Sequence, residues 1–444
     1  MCSILITNKK LGNLEAVNKY LRLRGPDLTN THGQNGITFL HNLLSMTGDL
    51  TAQPFIDGDI VCLFNGEIYN YKKFGSFKTD GECLIPLYNE FGDRFVRQLD
   101  GEFTICLVDF RRQALIISSD VFATKPLWYS FSGKWFGVSS YASALVGLGF
   151  AEQTKLKANT TYVFNLNDFR IKKEQSVYDF DLNQHKSSYD DWVSAFEQSV
   201  CKRYITSKQK VFLGLSSGYD SGAIACELTK QGVAFHAYST VGSEDLDILK
   251  SRHDLINSPS QGFIFKASKK EKKLAQNFIK EQVEDFTYRI YSDTSDYNEF
   301  KLSVCNDNGS IGLSFVCSKA RENGRRIYMS GMGADEIYSD YGFNGKKIYP
   351  HSNFGGLFPE DLAAIFPWAS FYDSSMLSYL MKEEYISGAF GLEGRYPYLD
   401  TTVVQEFLWL KASLKNSHYK SVLRHYLKEN HYPFKEDEKC GFEL

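Results

Sequence analysis

Two hydrophobic periodicities share this chain, and the point where one gives way to the other constrains its fold more than anything else in the sequence. The first 180 residues read as strand after strand. Ile60–Phe64, Phe103–Val108 and Ala114–Ser118 are short runs rich in β-branched and aromatic residues, punctuated by Gly, Asn and Asp. Helical spacing interrupts them over Leu11–Leu23 and Glu82–Phe95, an α+β pattern. Between about Asn165 and Asp191 the chain turns polar and the strand period fades. Beyond it the spacing predicts helices over Tyr189–Tyr204, Ser221–Lys230, Lys269–Val283, Thr401–Leu410 and Tyr419–Glu429. Strands at Lys210–Leu215, Phe235–Thr240 and Arg326–Met329 lie between them, and strand alternating with helix predicts a parallel sheet covered on both faces. The expectation is two domains, residues 1–180 and 181–444, with no internal repeat. At roughly 150 residues per domain, 444 residues are enough for two or three.

Composition removes several classes of function. A hydrophobic fraction of 43% and a charged fraction of 23% are globular values. With 50 Lys and Arg against 53 Asp and Glu, the net charge of −3 gives no general attraction to nucleic acid or anionic lipid. The nine cysteines are odd in number and contain no C-x-x-C pair, which fits reduced thiols better than a disulfide framework or a zinc knuckle. No apolar run approaches the about 18 residues of a membrane span. The N-terminal apolar stretch is too short for a secretory signal and is charged on the wrong side. A cytoplasmic protein without nucleic-acid or membrane partners is expected. Its oligomeric state stays open, a homodimer included.

Cys2 becomes the first residue if Met1 is removed, a step its small side chain permits. A terminal cysteine carries nucleophile and base together, because its own α-amine, with a pKa near about 8, can take the thiol proton. Alone this is weak, since a cysteine falls there by chance in many chains. In order after it stand Arg24-Gly25-Pro26-Asp27, Phe64-Asn65-Gly66-Glu67-Ile68-Tyr69-Asn70, Asp80-Gly81-Glu82, Leu99-Asp100-Gly101-Glu102-Phe103 and Lys125-Pro126-Leu127-Trp128-Tyr129. With Met1-Cys2-Ser3-Ile4 this set resembles the N-terminal-nucleophile glutaminase domain of asparagine synthetases, over about 150 residues. The resemblance implies an αββα sandwich and a type 2 glutamine amidotransferase, with Cys2 attacking the glutamine amide. Asn65 and Gly66 supply donors to the oxyanion, as a side-chain amide and an unobstructed backbone N–H can. Asp80 holds the α-amino group, and Glu67 lies with it in the glutamine-binding set. A plain turn at Asn65-Gly66 and a solvated acid at Asp80 are the bland alternatives.

In the second half the run Val211–Leu215 reads as a buried strand, followed by Ser216-Ser217-Gly218-Tyr219-Asp220-Ser221 opening a helix. Strand, small-residue turn and helix N-terminus make an anion site, and no G-x-x-x-x-G-K-[ST] is present. The loop resembles the S-G-G-x-D-S element of ATP pyrophosphatases, with Ser217 at the middle glycine. Ser330-Gly331-Met332-Gly333-Ala334-Asp335-Glu336 looks like the asparagine synthetase S-G-E-G-A-D-E element. Glu393-Gly394-Arg395-Tyr396-Pro397-Tyr398-Leu399-Asp400 resembles E-x-R-V-P-F-L-D, and Tyr419–Arg424 the stretch whose lysine neutralises phosphate charge. What the resemblance implies is an adenine-nucleotide alpha-hydrolase-like domain using ATP and Mg2+. Leu215, Ser216, Ser217, Gly218, Asp220, Ser221, Ser330 and Gly331 fall on the ATP, Asp220 and Asp335 on the metal, and Lys420 and Glu393 in the catalytic set. Hard oxygen ligands shared with phosphates suit magnesium. An ordinary N-capped helix, a solvated face at Lys420 and structural acids at Glu393 and Asp400 are the alternatives.

Together these readings predict an asparagine synthetase-like, ATP-dependent and AMP-forming amidotransferase with glutamine and a small carboxylate as substrates. Ammonia passes between its two sites by an apolar route. Departures bear on both substrates. Leu43 stands where the family's H-E-R-L-S-I stretch carries the arginine for the glutamine carboxylate, so Arg22 or Arg24 replaces it, or glutamine binds weakly, or it is not the donor. Met332 replaces the family glutamate, a tyrosine in β-lactam synthetases, and Asn306-Asp307-Asn308-Gly309-Ser310 lacks the Thr-x-x-Arg arrangement used near aspartate. A sugar uronate, a modified amino acid or a larger metabolite then competes with aspartate as acceptor. Lys439–Leu444 resembles a K-x-G-F element that asparagine synthetases usually follow with many more residues, which predicts a more open acceptor site. Three rivals remain. One is a β-lactam-synthetase-like or other adenylating ligase with a different nucleophile. Another is an adenylating RNA-modifying enzyme, for which Lys269–Lys273 is the main basic cluster. The third is a degenerate binding protein.

Overall fold

The computed structural model describes residues 2–242, 244–292 and 302–436, so Met1 and the Lys439–Leu444 element lie outside the described residues. The chain divides into two units. One comprises Met1–Asp179, Thr206–Lys208 and Gly388–Gly391; the other comprises Phe180–Ile205, Gln209–Ser387 and Leu392–Leu444.

Two six-stranded antiparallel sheets build the first unit. In one the order is Thr154–Lys155, Trp128–Ser132, Trp135–Ser139, Ser3–Thr7, Ile37–Leu43, Leu28–Gln34; in the other it is Ile171–Ser176, Thr160–Asn165, Ala114–Ser119, Gly101–Asp109, Ile60–Ile68, Phe55–Asp57. Alternate side chains of both sheets form one core. Ile4, Ile6, Phe39 and Val138 from the first meet Val61, Leu63, Val108 and Ile117 from the second. Where one helix is expected over Leu11–Leu23, two short ones form, Leu14–Val17 and Lys19–Arg24. The break falls at Asn18, which is buried and trades side-chain hydrogen bonds with Asn42 on the neighbouring strand (2.8 and 3.3 Å). Satisfying a buried amide outweighs continuing the helix.

The second unit contains a five-stranded, all-parallel sheet in the order Gln261–Phe265, Phe235–Thr240, Val211–Gly214, Ile327–Met329, Glu393–Arg395. Helices Tyr219–Lys230 and Asn308–Glu322 pack against it. The winding reverses between Val211–Gly214 and Ile327–Met329, neighbours whose next strands run outward in opposite directions. In open α/β sheets such a switch point, at the carboxyl ends of the strands, is where the connections part and leave a crevice. Both candidate loops, 216–221 and 330–335, leave the sheet at those two ends. The final predicted helix begins later than its spacing suggests, at Ser421, because Lys420 takes a left-handed conformation (φ 44°) as its cap.

Candidate active sites

In the first unit Cys2 sits at the start of the strand Ser3–Thr7, with its Sγ 3.9 Å from the Leu44 carbonyl. Arg24, fully buried, donates from Nε to the Cys2 carbonyl (2.9 Å) and fixes the backbone that carries the thiol. Cys2, Leu43, Gly66, Glu67 and Asp80 line one small cavity of about 20 Å³. Two acids are buried in its wall. Glu67 accepts from Thr47 Oγ1 (2.5 Å), and Asp80 accepts from the Ile68 N–H (2.9 Å) and Thr79 Oγ1 (3.1 Å).

Gly66 is forced by space. Its φ is +142°, and a Cβ there would stand 1.9 Å from the Glu102 carbonyl oxygen on the paired strand. Asn65 is not part of the cavity wall. Its side chain is fully buried, and neither amide atom has a hydrogen-bond partner among the described residues. A buried amide left this way is a donor in waiting or a cost without return.

In the second unit Asp220, Asp335 and Lys420 come together although the sequence separates them widely. Lys420 Nζ lies 2.6 and 2.8 Å from the two carboxylate oxygens of Asp220 and 2.8 Å from Asp335 Oδ1. Burial alone would pull the ammonium pKa down, but the two carboxylates override it and hold it well above the ordinary lysine value. Tyr419 Oη donates to Asp335 as well (3.2 Å). Gly331 makes the approach possible, since a Cβ there would meet the Asp220 Cβ at 2.9 Å.

Asp220 and Asp335 border a cavity of about 290 Å³, lined also by Ser216, Ser221, Gly331 and Met332, while Lys420 stands behind the two carboxylates and is not part of the wall. The loop 216–221 is internally knitted. Ser221 Oγ accepts from the Ser216 N–H (2.9 Å), Ser216 Oγ accepts from the Gly218 N–H (3.2 Å), and buried Arg252 ties down the Ser216 and Gly218 carbonyls (2.5 and 2.7 Å). Leu215 is held by backbone and side-chain hydrogen bonds to the next strand. Of the other expected residues, Ser217, Gly218 and Ser330 flank the cavity wall in sequence without forming part of it.

Glu393 lies apart, buried on its strand with Arg395 donating to it from Nε (2.7 Å). Asp400 caps the helix Thr401–Trp409 and pairs with Lys202 and Arg203. Two acids that sequence reasoning missed lie at the site. Glu244 Oε2 accepts from both the N–H and the hydroxyl of Ser217 (2.5 Å each), an anion resting on the loop, and burial raises its pKa. Glu383 lines the cavity beside Met332, and the Ser330 hydroxyl joins them by donating to Glu383 (2.6 Å) and accepting from the Met332 N–H (3.0 Å). Nothing in their sequence context distinguishes either from a solvated helix acid.

Residues 1–181 match the family model of the glutamine amidotransferase domain. The N-terminal unit carries a glutamine amidotransferase domain. Beyond this amidotransferase domain the similarity continues along most of the chain. A putative asparagine synthetase [glutamine-hydrolyzing] 1 of Methanocaldococcus jannaschii is 27% identical, over 86% of this chain and 70% of its own length. The asparagine synthetase of Triphysaria versicolor is 26% identical (93% and 68%), and asparagine synthetase 2 of Arabidopsis thaliana 25% (93% and 71%). Among solved structures, an allosteric regulatory enzyme of purine biosynthesis aligns at 14% identity with a TM-score of 0.32, over 59% of this chain and 80% of that one. The NMN synthetase of Francisella tularensis aligns at 14% with a TM-score of 0.24, over 58% and 100%.

Proposed function

We propose that this chain is a glutamine-dependent ligase that turns a substrate carboxylate into an amide through an acyl adenylate, releasing AMP and pyrophosphate. The observation that carries the reading is the convergence of Asp220, Lys420 and Asp335 on one point beside the loop 216–221, at the switch point of the parallel sheet. Two carboxylates facing one position suit magnesium, which takes one or two protein carboxylates and completes its shell with phosphate and water. In this structure the Lys420 ammonium supplies the positive charge there. Bound magnesium would neutralise pyrophosphate charge. Asp220 and Asp335 would hold it, and Lys420, released from them, would contact the phosphate oxygens on which charge develops.

In the first unit the Cys2 thiol, once Met1 is removed, attacks the side-chain amide of glutamine. Its α-amine takes the proton and passes it to the departing ammonia, and water then releases glutamate from the thioester. In the second unit a substrate carboxylate attacks the α-phosphorus of ATP, and ammonia displaces AMP from the resulting adenylate. Met332 can neither give nor accept the proton that ammonia must lose. Glu383, joined to it through Ser330, is the carboxylate placed to accept it. The acceptor is a small carboxylic acid, and a sugar uronate or a modified amino acid competes with aspartate for that place because Met332 and Asn308 depart from the aspartate-handling pattern.

The test incubates the chain, with Cys2 confirmed as its first residue, with glutamine, MgATP and a panel of carboxylic acids that includes aspartate and uronates. Glutamate, AMP and pyrophosphate formed in equal amounts are expected. ADP formation with any acid contradicts the ligase half, and absence of glutamate release contradicts the glutaminase half.

A further inference from the structure

The cavity that holds Cys2 is one-sided in charge. Glu67 and Asp80 are buried in its wall and Asp49 stands at its exposed rim, while among the described residues no lysine or arginine lines it. Arg24, the cation that contacts the Cys2 backbone, is committed elsewhere. It holds the Cys2 carbonyl, lies over the Tyr141 ring (5.9 Å) and is wholly shielded from solvent. Arg22 is exposed on the helix Lys19–Arg24 and forms no part of the wall. At the end of the strand Ile37–Leu43 the wall is Leu43, an apolar side chain itself buried. A ligand ammonium entering this cavity gains charge-assisted hydrogen bonds from two desolvated carboxylates. A ligand carboxylate loses its water, meets a leucine and two like charges, and is offered no lysine or arginine side chain in the described wall.

We propose that this cavity recognises its donor through the side-chain amide and the α-amine and not through the α-carboxylate, so that glutamine blocked at the carboxylate is used at least as well as free glutamine. The inference rests on the amidotransferase reading and names the class of donor for that site: α-amino amides whose carboxyl charge is absent or directed away from the cavity. The chemistry is that already given, with the γ C–N bond broken, a C–S bond to Cys2 formed and then hydrolysed by water, and ammonia released.

The experiment uses the full chain with Cys2 confirmed as its first residue. It compares kcat/KM for L-glutamine, read as glutamate, with that for L-glutamine α-amide, read as glutamic acid α-amide by mass spectrometry. Equal or higher kcat/KM for the α-amide is expected, and a preference of more than threefold for free glutamine would overturn the proposal. If neither compound is consumed, it is the amidotransferase reading that fails. L43R places a cation in the wall and is expected to shift the preference toward free glutamine by tenfold or more. A variant that folds, keeps turnover and leaves the ratio where it was also counts against the proposal.

Discussion

At Gly66 a single side-chain carbon decides whether two strands can pair, because the paired carbonyl of Glu102 occupies the space where a Cβ would sit. Gly66→Ala is expected to destabilise the protein by about 1–3 kcal/mol and to abolish glutamate release. Gly33→Ala, on a strand with nothing within 4 Å, should stay within about 0.5 kcal/mol of the parent when both glycine variants are compared with it by urea titration. His41 is another residue whose setting fixes its behaviour. It is fully buried on the strand Ile37–Leu43, neither ring nitrogen has a partner among the described residues, and burial lowers its pKa to about 3. The folded state therefore keeps the ring neutral while the unfolded chain takes up a proton below about 6.5. Stability is unaffected by this group above that pH and falls as the pH drops toward 3. Between pH 6.5 and 5 the loss is about 2 kcal/mol. His41→Leu should remove that part of the acid limb, and a variant whose urea midpoints still track the parent from pH 6.5 to 5 would contradict the assignment.

The element that governs the second unit is the loop 216–221, because three other segments dock on it. Arg252 fixes its carbonyls, Lys420 its aspartate and Glu244 its Ser217 N–H. A loop whose N–H groups already hold a carboxylate binds a phosphate in competition with it. Glu244→Gln removes the charge at nearly constant shape, so MgATP should bind several-fold tighter by calorimetry; equal or weaker binding would mean that Glu244 supports the loop without competing. Lys420→Met removes the ammonium from between Asp220 and Asp335. Acid-dependent AMP and pyrophosphate formation should fall by at least about a hundredfold while glutamate release persists, and a variant that still makes AMP at the parent rate would remove Lys420 from the chemistry.

Two chemistries in one chain should be separable by one atom. With Cys2→Ala, amide formation supported by glutamine is expected to vanish, while amide formation supported by added ammonium salts continues with the same acid. Loss of both activities in a folded variant would contradict the division of labour between the units.

The division into a strand-rich part and a strand-helix part was readable from the sequence, because side-chain period follows directly from backbone geometry in each. Cys2, Gly66, Asp80 and the three residues of the Asp220–Asp335–Lys420 cluster were readable as candidates, because each lies in a short run that resembles an element of the asparagine synthetases. What only the tertiary structure decided is which of them meet. The strand order turns two loops separated by more than a hundred residues into one site at a switch point, and places Glu393 in a buried pair with Arg395 instead. It also brought Glu383 to Met332 and Glu244 to Ser217, and it withheld Arg22 and Arg24 from the cavity of Cys2. A local pattern records what a residue can do; the charge around it, and so the ligand it accepts, depends on neighbours that the chain supplies from far away.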